Sequence, residues 1–173
     1  YVGQKPVIRE VNPAFEEMFG FEGETVVGST VGDALVPDDQ REQYEQFRKR
    51  VANGETIEGE AERQTASGRR EFVFKVIQLD IASDTATDAY VWYTDVTERR
   101  RRERAIQTLQ DATTRMQRAS TALEVAQIAS ESAETALGLS ETVCWLHGAA
   151  SNCLEPVATT TQGRDPGQLP TLT

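Results

Sequence analysis

Several residue types are scarce in this chain, and each scarcity limits what it can do. Its 173 residues include two cysteines and one histidine, which are too few for a disulfide framework or a zinc cluster. No apolar run approaches the roughly 20 residues of a membrane span, and nothing resembles a signal peptide. We therefore expect a soluble, cytoplasmic protein that is not attached to a membrane.

Lysine is scarce too, and the charge balance is strongly acidic. The chain has 3 lysines, and its 18 Lys+Arg against 28 Asp+Glu give a formal net charge of -10. Such a surface repels a polyphosphate backbone and keeps a protein soluble at high salt. We expect no direct binding of nucleic acid. A halophilic source is one hypothesis, and an ordinary acidic protein is the other.

The length suits one full domain and part of another. The chain starts at Tyr1 and stops at Thr173, within a tail rich in proline, glycine and threonine. The sequence therefore indicates a piece of a longer protein.

Local signals near the start predict a strand followed by a helix. Val7–Val11 has the composition of a strand, and Asn12-Pro13 then starts a helix that Gly20 ends. The glycines at 20, 23, 28 and 32 are expected to form turns, because they follow a helix rather than precede one, and no phosphate-binding Gly-Lys-Ser/Thr loop is present.

A second, longer helix and three strands come next. Asp39 and Glu42 are expected to cap the helix, and Asn53-Gly54 to end it. Its apolar stripe consists of Tyr44, Phe47 and Val51. Strands are predicted at 56–64, 70–81 and 89–95, with a turn at 66–68 and a polar loop at 82–88. This order predicts an α+β fold with helices on one face of an antiparallel sheet.

The most informative stretch is residues 90–98, an alternating aromatic and β-branched strand that ends in Asp95-Val96-Thr97. An arginine-rich helix follows at once. Asp95 or Thr97 can accept hydrogen bonds from the first N–H groups of that helix, and Asp95 with Glu98 has the spacing of a capping box. These side chains would therefore fix how the helix leaves the sheet.

This ending, together with Val11–Gly20 upstream, resembles the PAS family of cytoplasmic sensory domains, whose last strand commonly closes with Asp-(Ile/Val)-Thr. The resemblance implies a signal-relay role for Asp95 and Thr97; the alternative is an ordinary helix cap. The PAS fold has a strand before Val7, for which this chain has almost no residues. We therefore expect that first strand to be truncated or poorly formed, with one sheet edge unpaired.

The interior of the predicted sheet holds a candidate ligand pocket. Alternation along residues 72–79 places one set of side chains toward the helices, and comparison with PAS domains places Tyr93 in the same interior. The candidate pocket residues are Phe19, Leu35, Phe47, Phe74, Val76 and Tyr93. The alternative is a closed core without a ligand. Val73, Ile77 and Leu79 face outward, forming a patch that a partner subunit or flanking helix would cover.

Residues 98–137 contain no glycine or proline and predict continuous helix with a possible break. Residues at alternating spacings of 3 and 4 form a candidate dimer seam, namely Ile106, Leu109, Thr113, Met116, Ser120 and Leu123. We expect a parallel homodimer through this helix and the outer sheet face, and a single helix lying on the sheet is the alternative. The arginines at 99–102 and 104 are expected to pair with carboxylates of the sheet surface or of a partner chain.

The last part of the chain has a different character. Residues 122–161 resemble the opening helix and first two strands of a GAF domain, with candidate strands at 142–146 and 154–158. Too few residues remain to complete that fold. We predict three parts: an N-terminally truncated PAS sensor domain at 1–97, a coiled-coil signalling linker at 98–121 and an incomplete GAF-like part at 122–173.

Much cofactor chemistry is excluded in the predicted sensor part. His147 lies beyond it, in a predicted hairpin turn, which excludes a histidine-ligated haem, although Met18 leaves methionine ligation open. Residues 1–143 lack cysteine, which excludes cysteinyl-flavin photochemistry. A non-covalent flavin or small organic ligand is compatible. Cys144, His147 and Cys153 lack a fourth ligand, so we predict no metal site and expect two free thiols.

These features predict a non-catalytic sensing and relay module of a prokaryotic regulator. A PAS domain followed by a GAF-like part in an acidic chain is similar to haloarchaeal regulators of the bacterio-opsin activator type, in which a DNA-binding domain lies downstream. The alternative is the input region of a sensor histidine kinase. An independent enzyme would need a cluster of polar pocket residues, which the sequence does not reveal.

Overall fold

The computed structural model describes residues 6–79, 88–148, 153–160 and 165–172, and divides the chain into two compact units, Tyr1–Arg100 and Arg101–Thr173. The first unit contains α1 (Pro13–Phe19), α2 (Gly23–Val26), α3 (Val31–Leu35), a 3-10 turn (Asp38–Gln40), α4 (Arg41–Ala52), β1 (Ile57–Thr65), β2 (Gly68–Leu79), β3 (Asp88–Asp95) and the start of α5 (Thr97–Arg118). The second contains the rest of α5, α6 (Ala122–Leu137), β4 (Val143–His147), β5 (Leu154–Thr159) and a 3-10 turn (Pro166–Gln168).

Helix α1 has the ends that its sequence predicts. The Asn12 side chain accepts a hydrogen bond of 2.9 Å from the backbone N–H of Phe15, and Pro13 occupies the first turn. Gly20 ends the helix with a φ of 71°, in the left-handed region that glycine adopts without strain. The glycine passage beyond it differs from the expectation of turns alone, because Gly23 and Gly32 lie within the short helices α2 and α3.

The predicted strand at Val7–Val11 is wrong. Val7 forms an isolated bridge with Thr30, and the Ile8 N–H donates to the Ser29 carbonyl at 2.9 Å. The segment therefore satisfies its backbone groups with the loop before α3. Among the described residues, the sheet has no strand beside β1 or on the far side of β3.

Helix α4 starts differently from the expectation. Gln40 occupies the N-cap position of α4, and its side chain makes no capping hydrogen bond. Asp39, the expected cap, instead pairs with Arg69 of β2 at 2.7 Å, and this hydrogen bond lowers the Asp39 pKa. A guanidinium that binds a carboxylate through two N–H groups stabilises it more than a single backbone N–H group does. The tertiary contact with Arg69 therefore replaces the local cap.

The three predicted strands form one antiparallel sheet in the order β1-β2-β3. In its register Gly59 lies opposite Phe74, and Phe74 lies opposite Tyr93. The observed strands start and end within two residues of the predicted positions, where the structure describes them. The predicted loop at 82–88 lies outside the described residues apart from Asp88, which starts β3.

The sheet face toward the helices carries the core, which has two clusters. The first contains Ile8, Phe19, Val26, Leu35 and Phe72, and the second contains Ile57, Ala61 and Phe74. Tyr93 packs against both clusters. The rings of Phe19 and Phe72 are stacked, with centroids 4.7 Å apart. The helices are therefore fixed to the sheet by aromatic contacts near its centre.

A helix break between α5 and α6, within the second unit, limits the predicted seam. Thr121 starts α6 by accepting from the Glu124 N–H at 3.2 Å, and the Glu124 carboxylate accepts from the Thr121 N–H at 3.3 Å. This capping box starts a separate helix, and α5 ends before it, at Arg118. A seam along α5 therefore cannot include Ser120 or Leu123, and that part of the expectation is corrected.

The hairpin of the second unit lies close to its predicted position. Val143 of β4 pairs with Thr159 of β5, and the Thr142 hydroxyl donates to the Ser130 carbonyl of α6 at 3.0 Å. His147 is the last residue of β4, so its predicted place in the turn is wrong.

Among the described residues, no helix is both long and apolar enough to cross a membrane.

Candidate functional site

The strand–helix junction, which consists of Asp95, Val96 and Thr97, is bonded to β2 at several points. The Thr97 hydroxyl accepts from the Glu71 N–H at 3.0 Å, and the Val96 N–H donates to the Glu71 carbonyl at 2.9 Å. The Thr97 N–H donates to Asp95 Oδ1 at 2.9 Å. Since Thr97 is 7% exposed and is the first residue of α5, the start of the helix is fixed directly to the sheet.

Asp95 adds an electrostatic connection to the same strand. Its carboxylate lies 3.1 Å from Arg70 of β2. Burial opposes ionisation of this group, but hydrogen bonds from Thr97 and Arg70 outweigh it and lower the Asp95 pKa. The carboxylate is therefore ionised at neutral pH, and it connects the end of β3 with both β2 and α5.

One member of the arginine run also contacts the sheet. Arg100, in the first turns of α5, forms an ion pair with Glu60 of β1. The expectation that these arginines pair with carboxylates is confirmed for Arg100. All three strands of the sheet thus have a polar contact at or near the start of α5.

The six candidate pocket residues do not form a single wall. Phe19 and Leu35 belong to the first core cluster, whereas Phe74 belongs to the second, with Phe47 and Val76 packed against it. Tyr93 is the residue that touches both sets, and its ring lies edge-on to Phe19 at 5.2 Å. The structure therefore places the predicted residues in one interior but divides them around Tyr93.

Sequence reasoning missed two polar groups in this interior. Arg63 of β1 is 3% exposed, its Nε is buried without a hydrogen-bond partner, and its guanidinium lies over the Phe74 ring at 5.3 Å. The Tyr44 hydroxyl of α4 is also buried without a partner, and burial raises its pKa to about 12. Alternation along Ile57, Gly59, Ala61 and Arg63 would have placed the arginine inward.

Tyr44 also lines a small cleft at the surface of the helical layer. The cleft has a volume of about 120 Å³ and lies between the start of α3 and the start of α4. Its lining residues are Thr30, Gly32, Asp33, Arg41, Tyr44 and Glu45. Tyr44 therefore belongs to the lining of this cleft, and its hydroxyl is buried.

Metal-binding side chains are not clustered in the described part of the chain. No group of three or more His, Cys, Asp or Glu residues there could hold a metal ion. Cys144 and Cys153 are both free and half-buried. Met18, the remaining candidate for an axial haem ligand, packs against the first core cluster.

In the described part of the chain, exposed apolar side chains include a set in each unit. On the outer face of the sheet, Ile77, Tyr90 and Trp92 are exposed, and Trp92 reaches 67%. On α5, Ile106 is 57% exposed and Leu109 is 48% exposed. The remaining seam positions on α5 are the exposed Thr113 and the half-buried Met116.

Comparisons with known proteins agree with the fold of the first unit. A family model described as PAS fold matches residues 1–101, which is more than half of the chain. Similar solved structures include the PAS domain of a protein from Colwellia psychrerythraea, with 19% identity over 53% of this chain and 79% of that one and a TM-score of 0.47. A domain of an HTR-like protein from Haloarcula marismortui is 20% identical over 53% of this chain and 88% of its own, with a TM-score of 0.39. No curated protein matches the chain significantly. The family match shows that this chain belongs to the PAS-fold family.

Proposed function

We propose that this chain is the sensing and relay region of a prokaryotic signal-transduction or transcriptional regulator. PAS domains are typically signal-sensing modules of such proteins. The observation that carries the proposal is the set of bonds at the junction. Thr97, the first residue of α5, bonds to Glu71 of β2 and to Asp95 at the end of β3, and Asp95 also pairs with Arg70 of β2. A change in sheet geometry would therefore alter the direction or order of α5.

The proposed organisation has three parts. Residues 1–97 act as the sensor, residues 98–121 as a signalling linker, and residues 122–173 as the first part of a GAF-like domain. The helix α6 and the β4–β5 hairpin supply the elements from which a GAF-like domain would start. With the acidic charge of -10, this order supports a haloarchaeal regulator of the bacterio-opsin activator type.

A phase experiment in the full-length regulator tests the relay through α5. Inserting two alanines between Arg101 and Arg102 rotates the helix beyond them by about 200°. Inserting seven alanines at the same place restores the phase to within about 20°. We expect the first variant to lose its response to the signal and the second to retain most of it, measured as reporter output.

The two insertions control for each other, because both lengthen the same helix with the same residue. Equal loss of response in both variants would show that length, not phase, matters. An equal and full response in both would contradict a rigid helical relay through α5.

We also propose that the chain forms a homodimer through α5 and the outer face of the sheet. Ile106 and Leu109 are exposed on α5, and Ile77, Tyr90 and Trp92 are exposed on the sheet. Large apolar side chains that are exposed on a surface favour association with a partner. Thr113 weakens the apolar character of the α5 surface, which agrees with a switchable rather than a permanent contact.

The dimer prediction is tested by placing charges on α5. The double variant Ile106→Asp, Leu109→Asp should be a monomer by sedimentation, because two carboxylates in a desolvated seam cost several kcal/mol. The matched control, Gln110→Asp with Gln117→Asp, adds the same charge to exposed positions of the same helix and should stay dimeric. A dimer that persists in the first variant would leave Trp92 and its neighbours as the interface.

A further inference from the structure

The sensor interior contains an arginine that lacks an ionic partner. Arg63 is 3% exposed, and its Nη1 donates to the backbone carbonyl of Glu62 at 2.8 Å. Its Nε is buried and has no hydrogen-bond partner. Among the described residues, no carboxylate forms an ion pair with it. The side chain is therefore positioned by the strand but not neutralised.

Burying an unpaired cation is unfavourable, and arginine does not escape by losing its proton. The contact with the face of Phe74, at 5.3 Å, offsets part of this cost. The neutral carbonyl of Glu62 satisfies one N–H group. Neither contact supplies a negative charge, so the site is complete only when an anion or its equivalent is present.

The neighbouring charges do not provide that anion. In the sheet register Arg63 lies directly opposite Arg70, a like-charge pair that is unfavourable by itself. The carboxylate of Asp95 is engaged by Arg70 at 3.1 Å. Arg48 of α4 pairs with Glu45 at 2.7 Å. Each nearby arginine thus has a carboxylate except Arg63, and the interior keeps one uncompensated positive charge.

A second unpartnered donor lies in the same region. The Tyr44 hydroxyl is buried with no hydrogen-bond partner, and Glu45, Arg48 and Arg63 are the charged groups that act on it. Because burial raises its pKa to about 12, the phenol is neutral and keeps its proton for donation. Two buried donors therefore lack acceptors on the helix side of the sheet. Tyr44 also lines the surface cleft between α3 and α4.

We infer that Arg63 and Tyr44 form an anion site inside the sensor core, and that its ligand is a small organic monocarboxylate. The carboxylate oxygens would accept from Arg63 Nε and from the Tyr44 hydroxyl, satisfying both unpartnered donors. A single negative charge matches the single uncompensated cation, whereas a dianion would leave a buried charge unpaired. The rings of Phe47, Phe74 and Tyr93 suit the carbon part of the ligand. This inference rests on the proposed sensing function and names its ligand class.

The test uses the ¹⁵N-labelled 173-residue chain and four probes: sodium acetate, sodium benzoate, sodium chloride and inorganic phosphate, all at equal ionic strength. We expect acetate or benzoate to shift one arginine Nε–H resonance saturably and to raise the Tm by several °C. That resonance should be missing from Arg63→Gln. Chloride and inorganic phosphate should produce no saturable shift.

Three variants separate an anion site from a structural arginine. Arg63→Gln and Tyr44→Phe should each weaken carboxylate binding at least tenfold. Arg69→Gln, which makes the same charge change at an exposed position of β2, should bind like the wild type. Without ligand, the Tm of Tyr44→Phe should equal or exceed that of the wild type, because the substitution removes a buried unsatisfied hydroxyl.

Several results would overturn the inference. One is the absence of any carboxylate-dependent shift in the wild type. Another is equal carboxylate affinity in Tyr44→Phe, which keeps the fold even if Arg63→Gln does not. A third is an equal response to chloride or phosphate, which would show a general anion site without preference for carboxylates. A regulator that still responds to its signal through α5 while no carboxylate binds would refute the site and leave the sensing function standing.

Discussion

Replacing Phe72 by alanine is expected to lower the free energy of unfolding of the sensor unit by about 3–5 kcal/mol. Phe72 is fully buried, stacks on Phe19 at 4.7 Å and contacts Tyr93 edge-on at 5.7 Å. Its removal therefore costs the burial of a large ring and leaves a cavity that the surrounding aromatic rings cannot fill. Such a loss is a large fraction of the stability of an ordinary domain.

Denaturant unfolding at constant protein concentration measures this effect. Val27→Ala, which changes an exposed side chain of the same unit, serves as the control and should change stability by about 0.5 kcal/mol or less. A Phe72→Ala protein within 1 kcal/mol of the wild type would contradict the packing of helix and sheet through these rings.

The second large effect is expected at the strand–helix junction. The double variant Asp95→Ala, Thr97→Ala removes the bonds to Glu71 and Arg70, each worth about 1 kcal/mol. Most domains survive a loss of that size. The sensor core should stay folded, while amide-exchange protection should fall in the first turns of α5, because the helix start loses its side-chain bonds to the sheet and keeps weaker support from the Val96 backbone bond to Glu71 and the Arg100–Glu60 ion pair.

Hydrogen exchange read residue by residue tests this expectation. The matched control is Thr25→Ala with Asp38→Ala, which removes an exposed threonine and an exposed aspartate away from the junction. Protection in α5 should be unchanged in this control. An equal loss of amide-exchange protection in β1 and in α5 of the junction variant would indicate a general loss of stability. It would not indicate a local loss of contact between the sheet and the helix.

The sequence predicts those features best whose causes are local. Asn12 and Gly20 fix the ends of α1 through bonds within a few residues, so their pattern alone was sufficient. The three strands follow from alternation. By contrast, Asp39 makes its bond with Arg69, 30 residues away, and no local rule distinguishes that partner from a helix cap.

In the candidate site, too, features with local causes are predictable from the sequence, whereas contacts with distant residues are not. The residues Asp95 and Thr97 are recognisable as a motif, and the structure adds that Thr97 bonds to Glu71 across the sheet. Arg63 escaped the sequence analysis because charged residues are expected at the surface. The break before α6 was predicted as a possible break within residues 98–137 and was not placed by a cap, because the capping box of Thr121 and Glu124 is a short signal within a run of good helix formers.

We propose that the junction transmits the state of the sensor sheet to α5. The most direct measurement is the output of the full-length regulator carrying Asp95→Ala and Thr97→Ala, compared with the wild type and with the Thr25→Ala, Asp38→Ala control over the same range of input signal. We predict that output in the junction variant no longer follows the input, although the protein is folded and present at normal levels. A response that follows the input as it does in the wild type, with only a small loss of stability, would contradict the claim and reduce Asp95 and Thr97 to a structural cap.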